Sequence, residues 1–365
     1  MATLAAGRLG VGREAATPGE RNWRIAAIAM LSVRCIQGFI YWGGGSRRFI
    51  YAPAKLDAWG GHNWMANKFQ SAMPGALLGM EHVIAFMLQH FWLLYAGVIL
   101  FSAAELIAGA ALIAGLMTRA AALVSMAFSV LLMLMFGWQG ATCIDEWTMA
   151  AANLAMGATL MLAGSGAYAL DNVLLKRNPA LADRAWFRWA GGSLPLPVSD
   201  GGFRALGLLV LAFVLAFDIG TYHYYRGSVV TPFHGGPVSP SRHHFTLTDA
   251  AVLPDGGVRF HIYLDGGTPE APAHIMAASL LGADGKPVAT WDTATLSKLP
   301  AGAVRNDFAY NRFKSGPYGL VAEMGAMATV TLPPAAGAPP SGATVLKVTD
   351  VNAHSFTTKI APVTR

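Results

Sequence analysis

The stretch LSVRCIQGFIYWGGGSRRF, residues 31–49, places a permanently charged side chain, Arg34, inside an otherwise apolar run. An ionised group in the hydrocarbon layer costs ~3 kcal/mol on insertion scales, so it normally has a partner and a purpose. The expected partners are the carboxylates of Glu105, Asp145 and Glu146. Two hypotheses stay open: Arg34 and Glu105 hold two helices together, or they bind a substrate and carry protons.

A thiol is the second candidate for chemistry. Cys143 lies between Thr142 and Asp145 in the stretch 137–149, where a thiolate would be a nucleophile or a redox group. The alternative is a small apolar filler, because acidic neighbours disfavour the thiolate. Cys35 is the only other cysteine of the chain, so a disulfide framework or a four-cysteine zinc site is excluded.

The loop 43–73 is unusually basic for a segment expected outside the membrane. Against the single acid Asp57 it carries Arg47, Arg48, Lys55 and Lys68. A long loop can cross the membrane regardless of its charge, which is one explanation. The other is a cationic mouth that concentrates an anionic substrate.

The composition predicts a membrane protein that positions these residues. Of the 365 residues 54% are hydrophobic and 13% are charged, against roughly 25% charged in a soluble domain. A helix needs about 20 apolar residues to cross a hydrocarbon layer of ~30 Å, and five stretches qualify. These are Trp23–Trp42, Phe91–Met117, Ala120–Trp138, Trp147–Ala169 and Ala205–Tyr222. A sixth segment, Pro74–His90, carries Glu81 and His82 and is predicted to be an amphipathic or re-entrant helix.

Basic residues set the predicted orientation, because short cytoplasmic loops are enriched in lysine and arginine. The tail before Trp23, the turn at Arg119 and the stretch 171–204 are basic, which predicts a cytoplasmic position. The acidic loop 139–146 is predicted to lie outside, together with everything after Tyr222.

After Tyr222 the long apolar runs give way to alternating apolar and polar residues, a pattern that predicts short strands. VRFHIYL (258–264) alternates apolar and polar residues, and residues 274–291 form two strand-like runs around Asp284-Gly285. Residues 328–332 and 344–351 are further candidates, which together indicate a small β-sandwich. Its charges nearly balance, so it lacks the basic stripe of a nucleic-acid-binding protein.

The predicted domains follow from these elements. They are a cytoplasmic tail (1–22), a four-helix bundle (23–170) with an outer loop and amphipathic helix (43–90), a cytoplasmic linker (171–204), a fifth span (205–222) and the β-domain (223–365). The spans lack the paired histidines that a haem needs, and no carboxylate spacing supports a metal. The glycine runs at 43–46 and 164–171 do not join a strand to a helix, which argues against a nucleotide or flavin site.

Three stretches in a fixed order resemble the DoxD/DoxX family of four-helix membrane proteins. They are RCIQGFIYWGGGSR (34–47), ELIAGAALIAGLMTRAA (105–121) and GSGAYALD (164–171). Residues 306–333, NDFAYNRFKSGPYGLVAEMGAMATVTLP, resemble the DoxA family. The likeness leaves out only about the first 20 residues, and it is that of a DoxD–DoxA fusion.

The resemblance implies a thiosulfate:quinone oxidoreductase of the bacterial inner membrane. Such an enzyme joins two thiosulfate anions into tetrathionate at the periplasmic face and passes two electrons to a membrane quinone of the ubiquinone type. No metal, haem or flavin is expected. The N-terminus is then cytoplasmic, the β-domain is periplasmic, the lipid bilayer and possibly a second copy of the chain are partners, and nucleic acid is not.

Under this resemblance the candidate residues take roles. Thiosulfate is expected at Arg47 and Arg48, beside Trp42 and Trp147, while Arg34 holds an anion or polarises a quinone carbonyl. Cys143 would form a transient thiosulfonate adduct. The expected proton carriers are Glu105, Asp145, Glu146, Glu81 and His82.

Two other functions compete with this one. The chain could be a non-catalytic, membrane-anchored assembly subunit of a sulfur-oxidising or respiratory complex. It could also be an anion permease, although five spans without an inverted repeat disfavour that class.

Overall fold

The computed structural model describes residues 18–59, 61–139, 146–226, 242–335 and 342–361. An α-helical part is followed by an antiparallel β-domain, as the sequence predicts. The α-helices are α1 (Pro18–Ser46), α2 (Met65–Ala72), α3 (Met80–Gln89), α4 (Phe91–Ala114), α5 (Thr118–Phe136), α6 (Glu146–Ala163), α7 (Leu170–Arg177), α8 (Ala185–Ala190), α9 (Asp200–Arg226) and α10 (Thr293–Ser297).

Four of the described helices are long and apolar enough to cross a membrane: α1 with the turn that follows it (Gly19–Tyr51), α4, α5 and α9. The predicted span Trp147–Ala169 is different. It corresponds to α6, which contains Glu146 and the buried Asn153 and is not among the four. The helix also ends six residues earlier than predicted, at Ala163, because Gly164 adopts the left-handed conformation that ends many helices (φ +84°).

The chain divides into two compact units, and the first comprises Met1–Pro53, Ile99–Val130 and Ala150–Asp218. Small residues let α1 and α4 approach closely in this unit. A side chain at Gly109 would collide with the backbone of Trp42, and one at Gly38 would collide with Ile113. Close approach through glycine is a common way for helices to associate in lipid. The ELIAGAALIAG stretch therefore packs closely, as predicted.

Two buried arginines of the first unit bind backbone carbonyl groups. Arg34 donates hydrogen bonds to the carbonyls of Ser165, Ala167 and Tyr168, in the segment that follows α6. Arg119, at the start of α5, donates to the carbonyls of Met161, Arg188, Gly191 and Leu194. Carbonyl groups at helix ends and in loops lack partners in their own segment, so these contacts satisfy both sides.

The carboxylate of Asp171 does the same for backbone amides. Asp171 is fully buried and accepts hydrogen bonds from the amides of Met117, Thr118 and Gly192 at 2.8–3.2 Å. The first amides of α5 have no partner within the helix, and a carboxylate there also interacts favourably with the helix dipole. Asp171 thereby fixes the turn between α4 and α5 to residue 192.

The second compact unit comprises Ala54–Val98, Leu131–Met149 and Ile219–Arg365. It contains all of the described strands. They are β1 (His244–Val252), β2 (Val258–Gly266), β3 (Ala273–Gly282), β4 (Pro287–Trp291), β5 (Val304–Asn306), β6 (Phe313–Gly316), β7 (Gly319–Ala322), β8 (Met327–Leu332), β9 (Ala343–Asp350) and β10 (Ser355–Lys359).

The strands form two antiparallel sheets, as predicted for a sandwich. One sheet has four strands in the order β1-β2-β8-β5, and the other has six, in the order β10-β9-β3-β7-β6 with β4 paired to β3. Inward side chains of both sheets form one buried core that includes Phe260, Trp291 and Phe313. The alternation in VRFHIYL follows from this packing, because residues 258, 260, 262 and 264 face the core.

Residues 54–90, the larger part of the predicted outer loop with its helix, also pack within this second unit. Trp64 and Met65, at the start of α2, form a buried cluster with Ile84 of α3 and Phe308 of the β-domain. Helix α3 has ten residues and is therefore about 15 Å long, half of what a span requires. The predicted amphipathic helix thus exists in a shorter form.

A buried hydrogen-bond network fixes α2 to the β-domain. The side-chain amide of Asn311 donates to the Asn67 carbonyl at 3.0 Å and to the Ser71 hydroxyl at 2.8 Å. Its backbone amide donates to Gln70 at 2.9 Å, and Gln70 donates in turn to the carbonyl of Gly325 at 3.0 Å. Since Gln70 and Asn311 are both buried, every one of these bonds replaces contacts with water.

We expect Asp171→Ala to lower the free energy of unfolding by roughly 3–5 kcal/mol, because two buried amides and one partly buried amide lose their acceptor together. The matched control is Asp183→Ala, which removes an exposed carboxylate from the 3-10 turn Pro179–Asp183. Thermal unfolding of the purified protein in detergent, followed by circular dichroism, measures the difference. Equal melting temperatures for the two variants would contradict the assigned role.

We expect Asn311→Ala to lower the free energy of unfolding by roughly 2–4 kcal/mol, since Asn67, Ser71 and the Met324 carbonyl lose the buried side-chain partner. Asn352→Ala, at an exposed position, serves as the control. Limited proteolysis at increasing temperature provides the measurement, with cleavage in the loop 54–64 as the readout. Similar cleavage rates in both variants would show that the network does not secure the loop.

Candidate functional site

An arginine–glutamate pair is the strongest candidate for a functional site in the first compact unit, called the helical unit below. A π-helical turn, Arg47–Tyr51, follows α1, and within it the guanidinium of Arg48 binds the carboxylate of Glu105 on α4. Both side chains are mostly buried, with exposed fractions of 17% and 13%. The Arg48 guanidinium also lies over the Phe101 ring, 6.0 Å from its centre. A charged pair thus lies in largely apolar surroundings.

Glycines of the GGGS stretch make room for this pair. A side chain at Gly44 would collide with the Glu105 carboxylate, and one at Gly45 would collide with Leu106. The run of glycines therefore serves the close packing of α1 on α4. This explains the motif without the phosphate-binding role that the sequence analysis argued against.

A stripe of polar side chains continues from this pair along α1. Gln37 and Tyr41 are four residues apart and share one face of α1, and Arg48 follows in the π-helical turn after the helix. The Tyr41 hydroxyl donates to the Ser125 carbonyl at 2.8 Å and lies 3.0 Å from the Ser129 hydroxyl. Gln37 and Tyr41 are not among the residues predicted above, although their helical spacing is visible in the sequence.

Gln37 is the innermost member of the stripe. Its amide nitrogen donates to the Ser125 hydroxyl at 3.1 Å and to the Asn153 carbonyl at 2.8 Å. The side chain is fully buried, and its oxygen Oε1 has no hydrogen-bond partner among the described residues. A buried polar atom without a partner is costly, so an oxygen left in this way is a candidate contact for a ligand.

Arg34 does not lie with this pair. Its guanidinium binds the three carbonyls of residues 165–168, while Glu105 binds Arg48. The prediction that Arg34 pairs with Glu105 is therefore wrong. The physical reason is distance along α1: Arg34 precedes Gly44, the residue beside Glu105, by ten positions, which is about 15 Å of helix.

Three other predicted residues lie in the second unit with partners of their own. Glu146 accepts a hydrogen bond from Lys68 at 2.6 Å, so this basic residue of the loop is neutralised. The indole of Trp147 donates to the Thr221 hydroxyl at 2.9 Å. Glu81 lies 3.5 Å from the exposed imidazole of His82.

Tyr263 is the aromatic neighbour of this last pair. Burial raises the pKa of its phenol, and the carboxylates of Asp265 and Glu81 raise it further. The phenol therefore stays protonated at neutral pH.

The structure brings some predicted residues together and separates others. Arg48 and Glu105 are in contact, whereas Arg47 and Trp42 are exposed. Cys143 and Asp145 lie outside the described residues. Two of the four loop cations, Arg48 and Lys68, bind carboxylates from distant parts of the chain, which sequence proximity does not reveal.

The arrangement in the helical unit can do three things chemically. A guanidinium offers fixed positive charge, a carboxylate can exchange a proton, and the amide and hydroxyl groups can orient a polar head group. Within the described parts of the chain, no group of three or more histidine, cysteine or acidic residues has the arrangement of a metal site.

Comparison with protein families matches two successive parts of the chain. Residues 29–196 match the family described as TQO small subunit DoxD, and residues 225–359 match TQO small subunit DoxA. No solved structure gives a significant match. The first match contains the polar stripe of α1 and its partners on α4 and α5, and the second contains both sheets. The chain is a member of the DoxD and DoxA families, with the two domains joined in tandem as a DoxD–DoxA fusion.

Proposed function

We propose that this protein is a thiosulfate:quinone oxidoreductase. The observation that carries the proposal is the pair of family matches in tandem, since both families are described as TQO subunits. Two thiosulfate anions form one sulfur–sulfur bond and release two electrons as tetrathionate is made. A quinone takes up these electrons with two protons and becomes the quinol.

The polar stripe of α1 is the proposed quinone side of the enzyme. A bound quinone would supply the two-electron acceptor. The oxygen of Gln37, which has no partner among the described residues, can accept a hydrogen bond from the hydroxyl group of a reduced ring. This acceptor therefore fits a head group that gains a hydrogen-bond donor on reduction.

Arg48 and Glu105 are the proposed electrostatic and proton-transfer groups. The Arg48 guanidinium stabilises negative charge that develops beside it, and low polarity strengthens this effect. Glu105 relays protons to the same place, because its carboxylate is mostly buried yet retains a small exposed fraction. Arg34 is proposed to act as a positioning residue, since three carbonyl groups already occupy its guanidinium.

Thiosulfate oxidation is proposed at the periplasmic side of the bacterial inner membrane, with the N-terminus in the cytoplasm. Arg47 is exposed next to Arg48 and gathers the anion, assisted by the exposed Trp42 of the same unit. In the covalent version, the Cys143 thiolate and one thiosulfate form a sulfur–sulfur bond while two electrons pass to the quinone. A second thiosulfate then displaces the thiolate and leaves as tetrathionate.

Both families are described as small subunits, which supports a second candidate function. In that case the chain is a non-catalytic assembly subunit of a sulfur-oxidising complex, and its buried charges serve packing alone. Thiosulfate-dependent reduction of a decyl-quinone by the purified protein separates the two candidates, because only the oxidoreductase bleaches the quinone.

We expect Glu105→Gln to lower thiosulfate-dependent quinone reduction by about 10²-fold or more, the usual contribution of a proton-transfer group. Arg48→Gln is expected to have a similar effect. Because a single change leaves one buried charge without its partner, the double variant Arg48→Gln, Glu105→Gln tests the site with the fold preserved. Arg312→Gln, at an exposed position in the β-domain, is the control. Wild-type turnover in a folded double variant would remove the pair from the mechanism.

We expect Cys143→Ser to reduce turnover to background if the covalent route operates, since a hydroxyl cannot form the sulfur–sulfur bond. Cys35→Ser is the matched control, because Cys35 is an exposed free thiol on α1. Mass spectrometry of the wild-type protein quenched during turnover should detect a thiosulfonate adduct on Cys143. Normal turnover by Cys143→Ser would eliminate the covalent route and leave the proposed oxidoreductase intact.

A further inference from the structure

The outer face of the four-stranded sheet contains a cleft that the proposed reaction does not use. Its volume is about 370 Å³, at the small end of the range for small-molecule sites. It lies in the second unit and is lined by Asp249, Arg259, Phe260, His261, Gly302, Arg305, Thr329 and Thr331.

Strand register explains why these side chains share one face. Arg259 of β2 lies opposite Thr331 of β8, and Thr329 of β8 lies opposite both His261 of β2 and Arg305 of β5. Residues two apart on a strand point to the same side of the sheet. The alternate residues of β2 and β8, such as Ile262 and Val330, are buried in the core. Two guanidinium groups and two hydroxyl groups therefore face outward together.

The two arginines have their charges free within the described part of the chain. Neither Arg259 nor Arg305 has a side-chain hydrogen bond or an ion pair with a described residue, and both side chains are exposed. Other cations that the sequence analysis considered are occupied, such as Arg48 by Glu105 and Lys68 by Glu146. The cleft thus combines unneutralised guanidinium groups with a concave surface.

Two carboxylates lie near the cleft, and they differ in how far other side chains already bind them. Asp307 is bound to the His261 imidazole at 2.9 Å, so one of its carboxylate oxygens already has a partner. Asp249 belongs to the lining and lies at an irregularity of β1, between the register positions Thr248 and Ala251. Among the described residues, its carboxylate accepts a hydrogen bond from the adjacent Thr248 hydroxyl at 3.3 Å. Asp249 therefore opposes anion binding at one side of the cleft.

We propose that this cleft is a binding site for a small doubly charged oxyanion, held by Arg259 and Arg305 with the hydroxyls of Thr329 and Thr331. That the anion is a sulfur oxyanion rests on the proposed function. That the cleft binds an anion at all rests on the residues that line it. Arg259 on β2 and Arg305 on β5 lie on either side of β8, so their Cα atoms are about 12 Å apart, a gap that two long side chains close around one ligand. Guanidinium groups are well suited to oxyanions because they donate two parallel hydrogen bonds.

The test is calorimetric titration of the full-length protein in detergent with thiosulfate, with sulfate and with chloride at constant ionic strength. We expect Arg259→Gln and Arg305→Gln each to weaken one class of thiosulfate sites by about 10- to 100-fold, and the double variant to lose one bound equivalent. Arg312→Gln is the matched control, since it removes an exposed arginine of the same domain outside the cleft.

A variant that is expected to strengthen anion binding makes the test independent of folding defects. Asp249→Asn removes the opposing charge and should tighten binding by several-fold, an effect that general destabilisation does not produce. If binding is the same in the wild type, in the double arginine variant and in Asp249→Asn, the proposed site is disproved.

Quinone reduction measured on the same samples keeps the two proposals apart. Thiosulfate binding that depends on Arg259 and Arg305, without any quinone reduction, supports the cleft and contradicts the oxidoreductase. The opposite result is quinone reduction together with a thiosulfate stoichiometry that is unchanged when both arginines are replaced. That result supports the oxidoreductase and disproves the proposed site in the cleft. Sulfate binding equal to that of thiosulfate supports an oxyanion site and contradicts its specificity for sulfur-transfer substrates.

Discussion

Charged side chains buried among apolar helices need polar groups that replace water, and the helical unit depends on the backbone to provide them. Arg34 and Arg119 bind carbonyl groups of the segments that follow α6, and Asp171 binds amides at the start of α5. The same contacts satisfy backbone groups that helix ends leave open. Charge burial and loop fixation are thus one interaction. These contacts explain why residues 164–192 adopt a defined conformation although the segment contains several glycines.

The kind of partner distinguishes the two arginines of the α1 region. Backbone carbonyls cannot change their charge, so Arg34 has surroundings that stay constant in any redox or protonation state. The partner of Arg48 is a carboxylate, which can gain a proton and release the guanidinium for another anion. Only the second arrangement can respond when charge appears nearby. For this reason the proposed chemistry is assigned to Arg48 and Glu105 although Arg34 is the more deeply buried cation.

The sequence predicted the parts of the molecule that repeat a simple pattern. Apolar runs predicted α4, α5 and α9, and alternation predicted β2, because side-chain period and burial are local properties. The partners of Arg34 were not predictable in this way, since a carbonyl acceptor belongs to every residue type. The contact of Lys68 with Glu146 also escaped prediction, because the two residues are 78 positions apart and depend on the path of the chain. The polar stripe of Gln37 and Tyr41 was visible as helical spacing within an apolar run, but only its terminal arginine carried a charge to mark it.

The network around Asn311 has a consequence for the order in which the protein is made. Asn67 leaves the ribosome 244 residues before Asn311 does. At 5–20 residues per second, that interval is on the order of 10–50 s. Throughout it the loop that carries α2 displays polar side chains and the apolar surface of Trp64 without the strands that later cover them. Nascent chains would therefore depend on a holding factor, or on shielding by the lipid surface, until translation of the last strands is complete.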